Sequence, residues 1–200
     1  GWSLKRMHKL ILMSAAYRQA TTSENKKLKK DPTNQYLARM QRRRLDVETW
    51  RDAMLQASNQ MDLSMGGEPM DLESKENKRR TLYGSIHRRE PNQMLRIHDF
   101  PDPTAHAPTR PQTITPLQQL FSLNGPFILQ QAESLAAILM NQPGTEEGVR
   151  TAYQKLFQRE PREAELNISR TFLKGKETDV ATWAQYAHAL LAGNEFQFID

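Results

Sequence analysis

The chain has 200 residues, of which 38% are hydrophobic and 26% are charged, and this size and composition suit one domain with a real core. It contains no cysteine, which excludes disulfides, thiolate metal sites, iron–sulfur clusters and a cysteine nucleophile. No stretch approaches the roughly 20 apolar residues that a bilayer-spanning helix needs, so the sequence predicts no membrane insertion.

Charge is distributed unevenly along the chain, whose net charge is +5. Residues 1–50 carry twelve Lys and Arg against four Asp and Glu, whereas residues 111–200 carry seven against ten. The basic half predicts a contact surface for a negatively charged partner, or a face complementary to the acidic half. The run KKLKK at 26–30 is typical of a solvated loop, because one leucine does not supply the apolar face of a membrane-surface helix.

The first fifty residues predict helices separated by a polar loop. The opening stretch GWSLKRMHKLILMSAAYRQ is amphipathic and has Ser3 as an N-cap. Because its apolar face opens the sequence, we expect the chain to be the C-terminal part of a longer polypeptide. After a loop over 21–34, the pattern predicts a short helix and then a longer one that Asp46 caps.

The middle of the chain has weak periodicity. Residues 62–80 contain a Gly pair and a Pro, and they predict a surface loop of variable length that is disordered. The stretch TLYGSIHRR at 81–89 is the one candidate strand, although Gly84 interrupts it. A short helix follows Pro91, and a proline-rich polar loop follows that helix.

The last ninety residues carry repeated helix-start signals. These signals are Thr115 before Pro116, Pro126, Thr145, Pro161, and Thr178 or Asp179. The sequence therefore predicts an all-α fold, an irregular array of about seven to nine short helices with a long central polar loop. At most one short β-hairpin or strand is expected. We expect a single domain over residues 1–200, with a softer internal division near 100–115.

The central loop, RIHDFPDPTAHAPTR at 96–110, holds the candidate site residues. Its prolines stiffen the backbone, so it is not a floppy linker. The candidate polar cluster, structural or ligand-binding, comprises Arg18, Arg43, Arg44, His98, Asp99, Asp102, His106 and Arg110. In the structural interpretation Asp99 and Asp102 cap helices or pair with these arginines, and replacing either by alanine lowers the melting temperature by several degrees.

Other chemistries find little support in the sequence. The His and Asp residues of the loop have metal-ligand side chains, but their spacing matches no metal signature and no metal is predicted. Arginines near Asp99 and Asp102 would lower their pKa values, whereas a general acid needs a raised pKa. No catalytic motif is present, so enzymatic activity is left open and not favoured. Asp46 and Glu48, at the start of the helix that follows the RRR run at 42–44, would repel a phosphate and argue against nucleic acid.

Six stretches occur in an order that resembles a known family: GWSLKRMHKLILMSAAYRQ, RMQRRRLDVETWRDAML, HDFPDP, RPQTITPLQQLFSLNGPFI, LFQREPREAE and WAQYAHALLAGNEFQFID. The chain resembles the planctomycete-type conserved domain of unknown function, family 1553 of PSD type. It departs from the family pattern at Arg110-Pro111 and at Asn124-Gly125. The resemblance implies a C-terminal domain of a large exported protein, hence a periplasmic or other extracytoplasmic location. It implies no cofactor in this chain, since haem belongs to a separate upstream domain of family members.

The sequence predicts a helical interaction or scaffold domain of an exported multidomain protein. Its partner would be an upstream domain of the same polypeptide or another protein, met through the basic N-terminal face. The alternative is a polysaccharide-related domain that binds or hydrolyses an anionic glycan with the Arg-rich segment and the 98–110 loop. The two differ in whether Asp99, Asp102 and Arg110 surround one open pocket.

Overall fold

A computed structural model describes residues 1–22 and 25–199. The chain forms two compact units, a smaller one of residues 1–44 with 198–199 and a larger one of residues 45–197. The sequence-based expectation of a single domain with a softer division near 100–115 stays a prediction.

The smaller unit contains two helices and one pair of short strands. Helix α1 spans Leu4–Leu12, α2 spans Asn25–Lys30, and β1 (Arg43–Arg44) pairs antiparallel with β2 (Phe198–Ile199). The Ser3 side chain caps α1 by accepting from the N–H of Arg6, as the sequence predicted. Helix α2 lies inside the segment that was predicted to be a loop.

The short helix predicted before Asp46 is wrong, because turns and β1 occupy that segment. The buried Asp31 carboxylate accepts from the backbone N–H groups of Gln35 and Tyr36, at 2.8 and 2.9 Å. Such side-chain bonds compete with helical backbone bonds. Asn34 and Leu37 in the same turn have positive φ angles, which a helix does not allow.

The larger unit is almost entirely helical. Its elements in chain order are α3 (Val47–Ala57), a 3₁₀ helix (Thr81–Tyr83), α4 (Gln93–Ile97), α5 (Pro116–Asn124), α6 (Pro126–Met140), α7 (Thr145–Phe157), α8 (Glu163–Leu173), α9 (Val180–Leu191) and α10 (Asn194–Gln197). The predicted strand at 81–89 is wrong, since its first residues form the 3₁₀ helix. With ten α-helices and one two-stranded pair among the described residues, the predicted all-α class is confirmed.

Helix α6 is the centre of the larger unit and packs against α9, α7 and α3. Its residues Leu135 and Leu139 are completely or almost completely buried, as is Trp183 of α9. Gly148 of α7 permits a close approach, because a Cβ there would lie 2.8 Å from both the Trp183 ring and the Leu139 carbonyl oxygen. None of the helices in residues 1–22 and 25–199 is long and apolar enough to cross a membrane.

Candidate functional site

An open groove of about 720 Å³ runs beside α3 in the larger unit. Its lining residues come from α3, the 61–86 segment, α4 and the central loop: Glu48, Thr49, Asp52, Ala53, Gln56, Met61, Leu63, Leu72, Arg80, Thr81, Leu82, Ile86, Leu95, Phe100 and Arg110. This volume lies within the roughly 300–1,000 Å³ of typical ligand pockets. Leu63 and Leu82 stand at its edge with 70% and 73% of their surface exposed.

The buried side chain of Arg51 fixes the position of one wall of the groove. Its guanidinium is fully buried and donates to the carbonyls of Arg79 and Asn77, at 3.0 and 2.6 Å, and to the Thr81 hydroxyl. It also lies over the Phe127 ring, 5.0 Å from the centroid. Desolvation by burial lowers the pKa of Arg51, although the nearby Asp52 carboxylate opposes that shift. A buried cation of this kind needs such carbonyl partners to avoid a large desolvation cost.

Arg79 organises the rest of the 62–80 segment. Its guanidinium donates to the backbone carbonyls of Ser64, Gly66 and Glu68 and lies 4.3 Å from the centroid of the Tyr83 ring. The segment predicted to be disordered is therefore an irregular but hydrogen-bonded structure. Its predicted variability in length stays a prediction.

Gly84 fixes the position of the groove floor. A Cβ at this glycine would lie 2.4 Å from Leu72, so only glycine lets the buried Leu72 side chain pack there. Two backbone hydrogen bonds join the segment at Met70 to the segment around Gly84. The Met70 N–H donates to the Tyr83 carbonyl, and the Ser85 N–H donates to the Met70 carbonyl. The groove is thus preformed.

The charged groups at the groove rim are paired with each other. Asp52 accepts from the N–H and hydroxyl of Thr81 at 2.7 and 2.6 Å, and Arg80 lies 3.8 Å from the same carboxylate. Arg110 makes a bidentate pair with Glu48 at 2.7 and 2.6 Å. Little charge is left over to attract an ionic ligand.

The pair of Arg110 and Glu48 changes the pKa of both side chains. Burial alone would raise the pKa of Glu48, but the hydrogen bonds from Arg110 hold it below its ordinary value. The same hydrogen bonds raise the pKa of Arg110. Asp46, predicted to cap α3, makes no cap hydrogen bond and instead lies 3.9 Å from Arg110. The pair ties the central loop to the first turn of α3.

Asp99 ties the loop to the start of α5. Its carboxylate accepts from the N–H and the hydroxyl of Thr113, at 2.9 and 2.7 Å, and from the Gln118 side chain at 3.3 Å. Gln118 also completes the capping box that Thr115 begins. Asp99 has a positive φ of 61°, which an aspartate tolerates better than most residues.

The other loop candidates are dispersed. Asp102 is exposed and accepts only local bonds from Thr104, which lower the pKa of its carboxyl. His106 is exposed. His98 is buried, with its ring stacked on Trp50 at 4.8 Å and its Nδ1 donating to the Met94 carbonyl. Arg110 lines the groove, whereas Asp99 and Asp102 do not.

The three arginine candidates near the N-terminus lie in the smaller unit. Arg43 and Arg44 form β1, and Arg18 follows α1 and is exposed. The neighbouring Arg42 lies over the Phe198 ring of β2, 4.5 Å from its centroid. Whether any of these arginines pairs with Asp99 stays a prediction, as does the assignment of the whole cluster.

The groove suits apolar binding better than the chemistry of hydrolysis or metal binding. Among the described residues, no three His, Asp or Glu side chains are grouped to hold a metal ion. The hydrogen bonds from Thr104 lower the pKa of Asp102, whereas a general acid needs a raised pKa. The groove therefore has apolar walls and a polar rim whose charged side chains pair with each other.

Sequence reasoning missed the groove because its residues belong to no motif. Leu63, Leu82 and Ile86 are apolar residues without helical or strand period inside polar segments. Apolar residues without a period inside polar segments, next to a glycine such as Gly84, were the signal available in the sequence.

One comparison with known proteins gives a match. A model of the family described as a protein of unknown function (DUF1553) matches residues 1–173. Neither the curated proteins nor the solved structures contain a match.

Proposed function

The chain belongs to the DUF1553 family, and from that premise we propose that it is a helical interaction module whose groove binds an apolar peptide segment of a protein partner. The observation that carries the proposal is the preformed groove with its internally paired rim. Helical and extended peptides commonly bind in such troughs through a few apolar anchors.

The side chains around the groove support a peptide rather than a sugar. Its wall residues Leu63, Leu82 and Ile86 are apolar and exposed, so an apolar occupant would remove them from water. Met61 adds a flexible side chain that adapts to different shapes. Phe100 is the one aromatic lining residue described, and the Arg110 guanidinium lies 5.5 Å from its ring centroid. Sugar stacking on an open aromatic face therefore has little support here.

The anionic-glycan alternative is also weakened by the charges. A sulfated or carboxylated glycan needs unpaired cations for bidentate contacts. Arg110 is held by Glu48, and Arg80 lies beside Asp52. The two aspartates proposed for hydrolysis, Asp99 and Asp102, lie outside the groove lining. An apolar partner requires none of these pairs to break.

A fluorescence-anisotropy titration tests the proposal with a panel of labelled leucine-rich amphipathic peptides and scrambled versions of the same composition. We expect a subset of the amphipathic peptides to bind. Leu82→Glu should weaken that binding about tenfold or more, because it places a charge where an apolar anchor would lie. Leu117→Glu is the matched control, since Leu117 is also exposed but lies on α5 outside the groove.

Three results would contradict the proposal. The first is that no peptide of the panel binds, and the second is that Leu82→Glu and Leu117→Glu bind the peptides equally well. The third is that a heparin-derived oligosaccharide binds and that this binding is lost in Arg110→Gln, which would favour the glycan alternative. Near-ultraviolet circular dichroism of each variant confirms that the packing around the buried Trp50 and Trp183 is intact.

An extracytoplasmic location is part of the same proposal and is supported only by the family resemblance. Fractionation of cells that produce the full-length protein tests it. Recovery in the cytoplasmic fraction would contradict export while leaving the groove proposal standing.

A further inference from the structure

Helix α1 of the smaller unit has an apolar face that is exposed to solvent. None of its residues is buried, and Leu4, Met7, Leu10 and Ile11 each expose about half or more of their surface. At 100° per residue these four side chains lie within one sector of the helix. The stripe holds four of the nine residues of α1, which is the pattern of a helix that lies on a surface.

The opposite face of α1 is basic. Lys5, Arg6 and Lys9 lie there, and none of them forms an ion pair with a described residue. No Asp or Glu occurs in residues 1–22. Across residues 1–44, twelve Lys and Arg face only two Asp and Glu. The charge complement of this surface is therefore strongly anionic.

Aromatic side chains stand on both sides of α1. Trp2 precedes it and is fully exposed, and Tyr17 follows it and is half exposed. Tryptophan and tyrosine are favoured at the boundary between lipid headgroups and acyl chains, because one end of each ring is apolar and the other is polar. The KKLKK run in α2 adds four more exposed cations to the same unit.

We propose that α1 is an interfacial helix that lies on an anionic lipid bilayer, with Leu4, Met7, Leu10 and Ile11 in the headgroup–acyl boundary. An interfacial helix combines an apolar face, a Lys- and Arg-rich polar face and boundary aromatics, and α1 has all three. The sequence argued against a membrane role for KKLKK because that run lacks an apolar face, and α1 supplies one in the same unit. This site is separate from the peptide groove, so the two proposals succeed or fail independently.

Trp2 is a built-in reporter for the test. The chain has three tryptophans, and the other two, Trp50 and Trp183, are 3% and 1% exposed. Phosphatidylcholine vesicles that contain phosphatidylglycerol should shift the tryptophan emission to the blue and protect it from acrylamide. Pure phosphatidylcholine vesicles should not, and added salt should weaken the effect. Trp2→Phe should remove the signal while leaving co-sedimentation with the vesicles.

Matched variants separate the contributions of charge and apolar surface. Lys5→Gln with Lys9→Gln should weaken binding to the anionic vesicles about fivefold per charge, whereas Lys174→Gln with Lys176→Gln, the same change in the larger unit, should not. Leu10→Gln should weaken binding about tenfold, since it removes one leucine side chain that the bilayer would bury. All these positions are exposed, so the fold is expected to survive each change.

Three outcomes would overturn the proposal. The first is no emission shift or co-sedimentation with anionic vesicles. The second is binding that the lysine changes abolish but Leu10→Gln leaves intact, which would mean adsorption by charge alone. The third is tight binding of an acidic amphipathic peptide through α1 with no binding to vesicles, which would make this face a protein contact.

Discussion

The two units of the molecule use their hydrophobic and charged residues in opposite ways. In the larger unit, apolar side chains such as Leu135 and Trp183 are buried, and sixteen Lys and Arg meet twenty Asp and Glu, many in ion pairs. In the smaller unit, Asp31 is the one buried residue among the described positions, and cations outnumber anions six to one in residues 1–44.

This contrast separates residues that stabilise the fold from exposed residues that can contact another molecule. The core of the larger unit accounts for its apolar sequence, because burying that surface is the main driving force of folding. The apolar residues of α1 are exposed, so they do not stabilise their own unit by burial. Their contribution is expected in contacts with something outside the chain.

The largest expected effect is that of a core substitution in the larger unit. Leu135→Ala should lower the free energy of unfolding by about 2–5 kcal/mol, because it removes buried methyl groups and leaves a cavity. Urea unfolding followed by near-ultraviolet circular dichroism measures this, since Trp50 and Trp183 both belong to the larger unit. A change below about 1 kcal/mol would mean that α6 is not the centre of the core.

The next effect concerns the buried cation under the groove. Arg51→Met should cost about 3 kcal/mol, because the carbonyls of Asn77 and Arg79 lose their donor. Limited proteolysis should also begin to cut within 62–80. Arg80→Met is the control, since Arg80 is largely exposed and should change stability by less than about 0.5 kcal/mol. Equal effects of the two variants would refute the role given to Arg51.

The structure keeps the melting-temperature prediction made for Asp99 and reverses the one made for Asp102. Asp99→Ala should cost about 1–2 kcal/mol, because Thr113 and Gln118 lose an acceptor. That corresponds to a fall of roughly 2–8 °C in melting temperature for a chain of this size. Asp102→Ala should have almost no effect, because Asp102 is exposed and its carboxylate bonds only to Thr104. A melting comparison of the two variants decides whether the central loop is tied down at Asp99.

A smaller and pH-dependent effect is expected for the Arg110 and Glu48 pair. Its stabilisation, about 1 kcal/mol, is complete above the ordinary carboxyl pKa of Glu48 in the unfolded chain. It is lost as the pH falls through the lower pKa of the folded state, since protonated Glu48 no longer pairs. A double-mutant cycle with Glu48→Gln and Arg110→Gln at pH 7 and pH 3 measures it. A coupling energy that is the same at both pH values would contradict this account.

The smallest effect is expected in the smaller unit. Leu10→Ala should change the free energy of unfolding by less than about 0.5 kcal/mol, because Leu10 is already exposed. The change from leucine to alanine is thus expected to lower the free energy of unfolding most at Leu135 and least at Leu10. A destabilisation by Leu10→Ala comparable with that of Leu135→Ala would erase the distinction between the units.

Helix starts were the features that local sequence predicted best. Four helices begin at or directly after Ser3, Thr115, Pro126 and Asp179. These starts were predictable because a cap depends only on residues three or four positions away. The pairing of β1 with β2 joins residues more than 150 positions apart, and no local pattern encodes it. The order in 62–80 likewise depends on Arg51, which lies outside that segment.

The candidate site was predicted only in part. Prolines and paired aspartates drew attention to the 98–110 loop, and Arg110 and Phe100 of that loop do line the groove. The partners that decide their roles, Glu48 for Arg110 and Gln118 for Asp99, are distant in sequence and chemically ordinary. Only the folded chain brings them together.

The buried guanidinium of Arg51 has a consequence for the order of folding. It bonds to carbonyls 26 and 28 residues further along the chain, so it stays hydrated until that long loop closes. We therefore expect loop closure and the burial of α3 against Phe127 of α6 to occur as one cooperative event. The amide protons of Thr81 and Ser85, which bond to Asp52 and Met70, should exchange with solvent only through the opening that also releases α3.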